Sequence, residues 1–307
     1  MLYTKEKLDH LRHRWTTTKG KKLIKLIRDS RCYLSPVLYR EKVKNFHYIN
    51  DHEVEDTIDL RGAPLAGFDF RSAIQEDDGF AEKVAILSNI HFEGACLKHC
   101  SFEGGKIHSC NFEDADLSHA EFKNSSLNDC SFQDSDCSSL NLRGAKLINC
   151  NFNDATIKDI LLDTTIVDQK TTFGSHLKSE KESSFHFASI EYKQIKEMYK
   201  NSSLHDLADQ YHYKEMVAKR KIGKKTSLKR WLNYFFGDLL CKYGTSFNRV
   251  LIWSVLVIVV CAILLNVNES LFYQGQEKPT DFLDALYFSV VTFTTLGYGD
   301  FHAVGWM

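Results

Sequence analysis

From Phe92 to Leu162 an apolar side chain returns at every fifth residue, and of those fifteen positions only Cys137 is neither Phe, Leu nor Ile. Two residues before each centre stands a small side chain in twelve of the fifteen cases, among them Ala95, Cys100, Gly105, Cys110 and Ala115; Ile90, Leu140 and Ile160 are the departures. A period of five fits neither the 3.6 of a helix nor the 2 of a strand. A helix with this spacing would scatter its Phe and Leu over every face, and a strand would put alternate ones in water. A chain that turns a corner at each repeat buries the whole set, with the apolar centre and the small residue before it pointing inward.

Stretches such as DADLS, HAEFKNSSL and RGAKL resemble the A(D/N)LXX units of the pentapeptide-repeat family. The resemblance implies a right-handed quadrilateral parallel β-helix with about twenty residues per coil, each coil burying its neighbour's face. Residues one coil apart then stack, so Phe92, Phe112, Phe132 and Phe152 form one interior column and Cys110, Cys130 and Cys150 another. At a strand spacing of about 4.8 Å these thiols are near enough for a disulfide or a metal. No His or acid accompanies them inward, however, and buried Cys acts as a small hydrophobe. A shorter run of the pattern, Leu60, Leu65 and Phe70, precedes the main one, and Phe92 follows Phe70 by 22 residues. The β-helix is therefore expected over 58–173 with an insertion at about 71–89. Residues 1–57 are basic and helical in pattern, with Trp15 and the apolar set Leu23, Ile24, Leu26 and Ile27. They are expected to cap an edge otherwise open to strand addition.

Charge and composition narrow the function. The whole chain has a net charge of -1, so no nucleic-acid partner is expected. Ile90–Thr164 carries twelve acids against six bases. Some pentapeptide-repeat proteins are regarded as duplex-DNA mimics that occupy topoisomerases, but that role needs a long, densely acidic surface, and this charge is modest. Nine Cys, an odd number, and an N-terminus without an apolar leader argue for reduced thiols in a cytoplasmic compartment. His99, His108 and His119 are too scattered along the chain to indicate a sensor.

From Phe185 the period becomes helical, with Ile190, Ile195, Met198 and Tyr199 on one segment and Leu204, Leu207, Ala208, Tyr211 and Met216 on the next. A helical hairpin is expected over 185–222, with Ser203 and Asp206 as a capping pair for its second helix. It reads as a packing element or a coupling arm between the solenoid and the membrane. Lys219–Arg249 then holds nine bases and one acid, Asp238, whereas five acids face Lys278 after Asn266. Basic flanks mark the cytoplasmic side of a span. Trp231, Tyr234, Phe235, Phe236 and Tyr243 suit an interfacial helix.

The remaining module, 228–307, is read as membrane-embedded. Val250–Leu265 has Ser254 as its one polar side chain and no charge, giving a transmembrane helix over 249–267. A second apolar stretch, 281–294, is too short to span and reads as a re-entrant pore helix, tolerated where the backbone after it lines a cavity. That backbone is Thr294-Thr295-Leu296-Gly297-Tyr298-Gly299-Asp300, which resembles the selectivity filter of potassium channels, with Leu296 in the place of Val. The resemblance implies K+ as the permeant ion and no other cofactor. Carbonyls of Thr295, Leu296, Gly297 and Tyr298 and the Thr295 hydroxyl would form the ion sites, and Gly297 and Gly299 would allow the backbone to point them at one axis. Thr294 and Asp300 would support the filter. It also implies a homotetramer in the cell membrane, of the two-transmembrane, single-pore class, with the N-terminus and β-helix cytoplasmic. Since a pore needs an inner helix after the filter and Met307 follows Asp300 by seven residues, the chain is expected to be a fragment. A ligand or protein bound by the β-helix is open. No nucleophile, base pair or phosphate loop suggests an enzyme. The rival expectation is a membrane-tethered scaffold with a non-conducting pore segment.

Overall fold

The computed structural model describes residues 5–29, 58–71, 86–222, 228–268, 271–273, 281–299 and 301–303. They fall into two compact units, Met1–Gly223 and Lys224–Met307.

The first unit is built on a parallel β-helix. Lys106–His108 pairs in parallel with Ser126–Asn128, that strand with Lys146–Ile148, and that with Ile166–Val167, a register of twenty residues per coil. Three narrower ladders complete each coil, through His91, Asn111, Ser131 and Asn151, through Cys96, Asp116, Asp136 and Thr156, and through Ser101, Glu121, Asn141 and Leu161. The corners are β-turns in which the centre's carbonyl accepts from the amide three residues on, as in Phe92 to Ala95 at 2.9 Å and Phe102 to Gly105 at 3.1 Å. At every fifth residue from Asn89 to Thr164 the backbone has a positive φ of 49 to 71°. A positive φ is costly for most side chains and cheapest for Gly, Asn and Asp. The sixteen occupants are Gly, Asn, Asp, Ser, His and Thr. This second periodic signal, two residues after each apolar centre, is as readable in the sequence as the first.

Inside, the Phe columns pack as the register demands. Phe92, Phe112, Phe132 and Phe152 stack with ring centroids 5.0, 4.9 and 4.5 Å apart. Phe70, Phe102 and Phe122 form a second column, at 4.7 and 4.5 Å, that meets the first edge to face. Where the centre shrinks to Cys137, the small position of the same corner grows to Leu140, and both are fully buried. Cys110, Cys130 and Cys150 are buried too. Burial pushes the Cys110 thiol up to about 12, as befits an apolar filler. Among the described residues no cluster of three metal-ligating side chains occurs.

One boundary differs from expectation. Ile86–Ser88 already pairs in parallel with Lys106–His108, so this stretch belongs to the first full coil and not to the insertion expected at about 71–89, of which residues 72–85 lie outside the described residues. At the other end Asn151 pairs with Thr172, and Phe152 stacks on Phe173 at 4.9 Å. The last coil thus holds one residue more than the twenty of the coils just before it, and the strand pattern ends at the expected position.

Both edges of the solenoid are covered. At the first, Lys5–His13 and Thr18–Asp29 are helices that with the 3-10 turn Arg14–Thr16 between them bury Leu11, Trp15, Leu23 and Ile27. Trp15 Nε1 donates to Arg61 O at 2.8 Å, and the Arg14 guanidinium donates to both carboxylate oxygens of Asp59 at 2.7 and 2.9 Å. Against the desolvation that burial imposes, hydrogen bonds from Arg14 and Arg61 hold the Asp59 carboxyl well below the usual range. Asp59 pairs in register with His91, whose Nδ1 lies 2.9 Å from Glu93 Oε1. Glu93 is 3% exposed, and Asn111 Nδ2 donates to the same oxygen at 2.9 Å. At the second edge the helices Phe185–Asn201 and His205–Lys221 form the expected hairpin. Tyr199 Oη donates to Thr171 O at 2.7 Å, Gln194 Nε2 to Ile160 O at 3.2 Å, and Val167 N to Ser202 Oγ at 3.0 Å. This end of the hairpin therefore acts as a lid on exposed strand groups. The expected Ser203–Asp206 capping pair does not form: the second helix has Leu204 as its N-cap, without a side-chain bond. Ser203 has φ 60° and closes the preceding helix, where Leu204 N donates to Tyr199 O at 2.9 Å. That is the Schellman arrangement with a left-handed residue after the helix.

In the second unit the helix Leu228–Leu232 passes into a π-helical segment, Asn233–Leu239, from which Tyr234 and Phe236 project exposed. The helix Phe247–Val267 has 21 residues, about 32 Å of axis, and is long and apolar enough to cross a bilayer. It starts two residues before the expected Arg249. Its foot is tied by Arg249 Nη1 donating to Asp238 O at 3.0 Å and Trp253 Nε1 donating to Leu239 O at 3.2 Å. It packs on the helix Phe282–Phe293, with Ala262, Ala285 and Leu271 buried together. Leu271–Tyr273 pairs antiparallel with Phe301–Ala303.

Candidate functional site

The short helix of the second unit is held at both ends. At its start Asp281 and Asp284 form a reciprocal capping box, in which the Asp281 amide donates to Asp284 Oδ2 at 3.3 Å. Both carboxylates also suit the positive end of the helix. Twelve residues reach about 18 Å, well short of a hydrocarbon core of about 30 Å. At its end Thr294 is the C-cap, and its Oγ1 donates to Val290 O at 2.8 Å. The amides of Thr295 and Leu296 turn back to Thr292 O and Val291 O, both at 3.0 Å. The helix is thus closed by the first amides of the candidate filter, which leaves the carbonyls that follow for another use.

From 295 to 299 the backbone alternates in handedness. Thr295, Gly297 and Gly299 have φ of 58, 51 and 73°, and neither Leu296 nor Tyr298 between them is in the positive region. Such alternation allows the carbonyls of an extended segment to face one side, whereas those of an ordinary strand point alternately to opposite sides. Gly297 and Gly299 occupy the left-handed region without strain. Thr295 does not: a β-branched residue there costs about 1–3 kcal/mol, and its Oγ1 donates to Thr294 O at 2.7 Å. Nothing in the sequence beyond the motif itself signals the Thr295 conformation. Leu296 and Tyr298 are 61% and 68% exposed within the single chain. Of the residues singled out from the sequence, Thr294 to Gly299 are contiguous and share this geometry, and Asp300 lies outside the described residues.

The histidines are less scattered than their sequence positions suggest. His99 and His119 stack across one coil with ring centroids 5.0 Å apart, and Asn128 Nδ2 lies 3.0 Å from His108 Nδ1. The twenty-residue register alone would have paired the first two.

Comparison with known proteins agrees with this division. Residues 87–131 and 110–154 match family models of pentapeptide repeats, with nine and eight copies, and residues 249–307 match the family model described as an ion channel. The chain thus carries pentapeptide repeats over residues 87–154 and an ion-channel domain over residues 249–307. A pentapeptide repeat protein (Rfr23) from the cyanobacterium Cyanothece 51142 is 17% identical, with 38% of this chain and 86% of that one covered and a TM-score of 0.23. A pentapeptide repeat protein from the Arabidopsis thaliana thylakoid lumen is 18% identical, with 40% and 75% covered and a TM-score of 0.24. No curated protein matches the chain.

Proposed function

We infer that the chain is a subunit of a potassium-selective channel that works as a homotetramer in the cell membrane. Its N-terminus and repeat domain are cytoplasmic, and the repeat domain, a right-handed quadrilateral coil, serves regulation or assembly. The observation that carries this reading is the alternating backbone of Thr295 to Gly299, placed directly after a capped helix too short to span. Four such segments around one axis present rings of oxygen that replace the water around a potassium ion. The ion meets the carbonyls of Thr295, Leu296, Gly297 and Tyr298 and the hydroxyl of Thr295. The C-terminal end of each short helix turns its partial negative charge toward the same cavity. Two large exposed side chains, Leu296 and Tyr298, suit contact with neighbouring copies. The reaction is passive permeation without covalent chemistry. Ion flux from liposomes containing the full-length gene product tests the reading. Potassium efflux well above sodium efflux is expected, and equal sodium flux, or none of either, overturns it.

A further inference from the structure

The N-terminal cap carries a charge that its packing leaves unused. Between Asp9 and Asp29 there are seven Lys or Arg and no carboxylate. Arg14 is held by Asp59, and the Arg28 guanidinium lies over the Phe68 ring at 5.0 Å. Lys19, Lys21, Lys22 and Lys25 are exposed, and none of the four makes a salt bridge among the described residues. The same helix, Thr18–Asp29, buries Leu23 and Ile27. The fold therefore fixes four ammonium groups on one outward side, where like charges three and four residues apart repel.

We propose that this lysine face docks on the anionic phospholipid headgroups of the membrane in which the chain is embedded. The inference rests on reading Phe247–Val267 as a bilayer span. Among the described residues that helix alone is long and apolar enough to cross, so the cap lies on the same side as the segment Lys219–Arg249. The nine bases of that segment mark the cytoplasmic leaflet, where anionic lipids are enriched. Tethering by the span keeps the headgroups at high local concentration. The coils from Ile90 to Thr164 carry a surplus of six acids and are repelled by the same surface, whereas the charge of the cap complements it. Each Lys or Arg near an anionic surface raises the docked population about fivefold.

The test uses the full chain in vesicles of phosphatidylcholine with and without phosphatidylserine, with a photocrosslinker introduced at exposed Thr18. Lipid adducts at this site are expected in the phosphatidylserine vesicles, falling at least about tenfold at high salt. The triple variant K21Q/K22Q/K25Q should lower them by about a hundredfold. It touches no residue that packs the cap, and unchanged hydrogen exchange at Leu11 and Trp15 checks that the cap stays folded. Equal adducts in neutral vesicles, or adducts to a neighbouring copy's coils in place of lipid, overturn the proposal. Alkaline carbonate extraction of the same vesicles separates the two readings. Release of the chain sinks the span itself, whereas retention without lipid adducts sinks the docking alone.

Discussion

Replacing Phe132 by Ala is the most demanding test of the solenoid. Its ring is fully buried, stacked between Phe112 at 4.9 Å and Phe152 at 4.5 Å, with Phe122 edge-on at 6.1 Å. Truncating a buried Phe costs about 3–5 kcal/mol, least where the surroundings collapse into the gap. Collapse is blocked here, because parallel ladders above and below hold the coils at a strand spacing of about 4.8 Å. The lost stacks, about 0.5–1.5 kcal/mol each, press the figure to the top of the range, about 5 kcal/mol. Exchange of the Leu127 and Leu147 amides through opening of the coils should then quicken by three to four orders of magnitude in the full-length protein. Phe173→Ala, with Phe152 on one side at 4.9 Å, should cost about 1 kcal/mol less. Phe187→Ala, at a ring 44% exposed on the hairpin, should change exchange less than about tenfold. If Phe132→Ala behaves like Phe187→Ala, or costs less than Phe173→Ala, the stacked columns are not what holds the coils.

Three further outcomes are expected. Arg14→Ala removes both bonds to Asp59 and should release the cap, raising exchange in residues 5–29 by about ten- to hundredfold while the central coils stay protected; unchanged exchange there refutes the clamp. The hydrogen bond to Glu93 raises the His91 pKa above its ordinary value, with Asp59 adding to the rise, and burial and Arg61 opposing it. Its contribution to stability is therefore complete below about pH 6.5 and lost as the pH climbs through the raised value. A melting temperature that falls across that window in the wild type and stays flat in His91→Gln is the expected result, and parallel curves refute it. Gly299→Ala (φ 73°) and Gly104→Ala (φ 71°) impose the same left-handed strain, about 1–2 kcal/mol. Only the first should abolish potassium flux, and equal effects on flux would mean that strain alone matters.

The interior of the β-helix was legible because period-five burial calls for a corner at every repeat, and the twenty-residue stack from Phe92 to Phe152 is what the resemblance to pentapeptide repeats adds to it. The positive-φ positions, Gly94 and Asp114 among them, carried the same period in polarity and turn chemistry, a signal that a search for apolar residues passes over. Coverage of the edges was only half readable. Trp15 and the apolar face with Leu23 suggested a cap, but the bonds from Arg14 to Asp59 and from Tyr199 to Thr171 join residues far apart in sequence, with no periodic trace. Ser203 misled because a Ser before an acid signals a helix start equally well when the backbone uses it to end the helix before. In the channel domain the motif from Thr294 to Gly299 placed the site, while the strained Thr295 backbone belongs to tertiary geometry that residue type does not encode.

The two lids of the solenoid sit at its two ends, and the coils between them share one register of twenty residues. Removing or duplicating a full coil, such as residues 112–131, therefore leaves the residues that meet each lid unchanged and alters the height of the domain by one rung, about 4.8 Å. Losing nineteen residues instead would turn every later side chain out of step. The domain is in this sense a spacer of adjustable height, and gene rearrangements that respect the rung can retune its reach without redesigning what stands at either end.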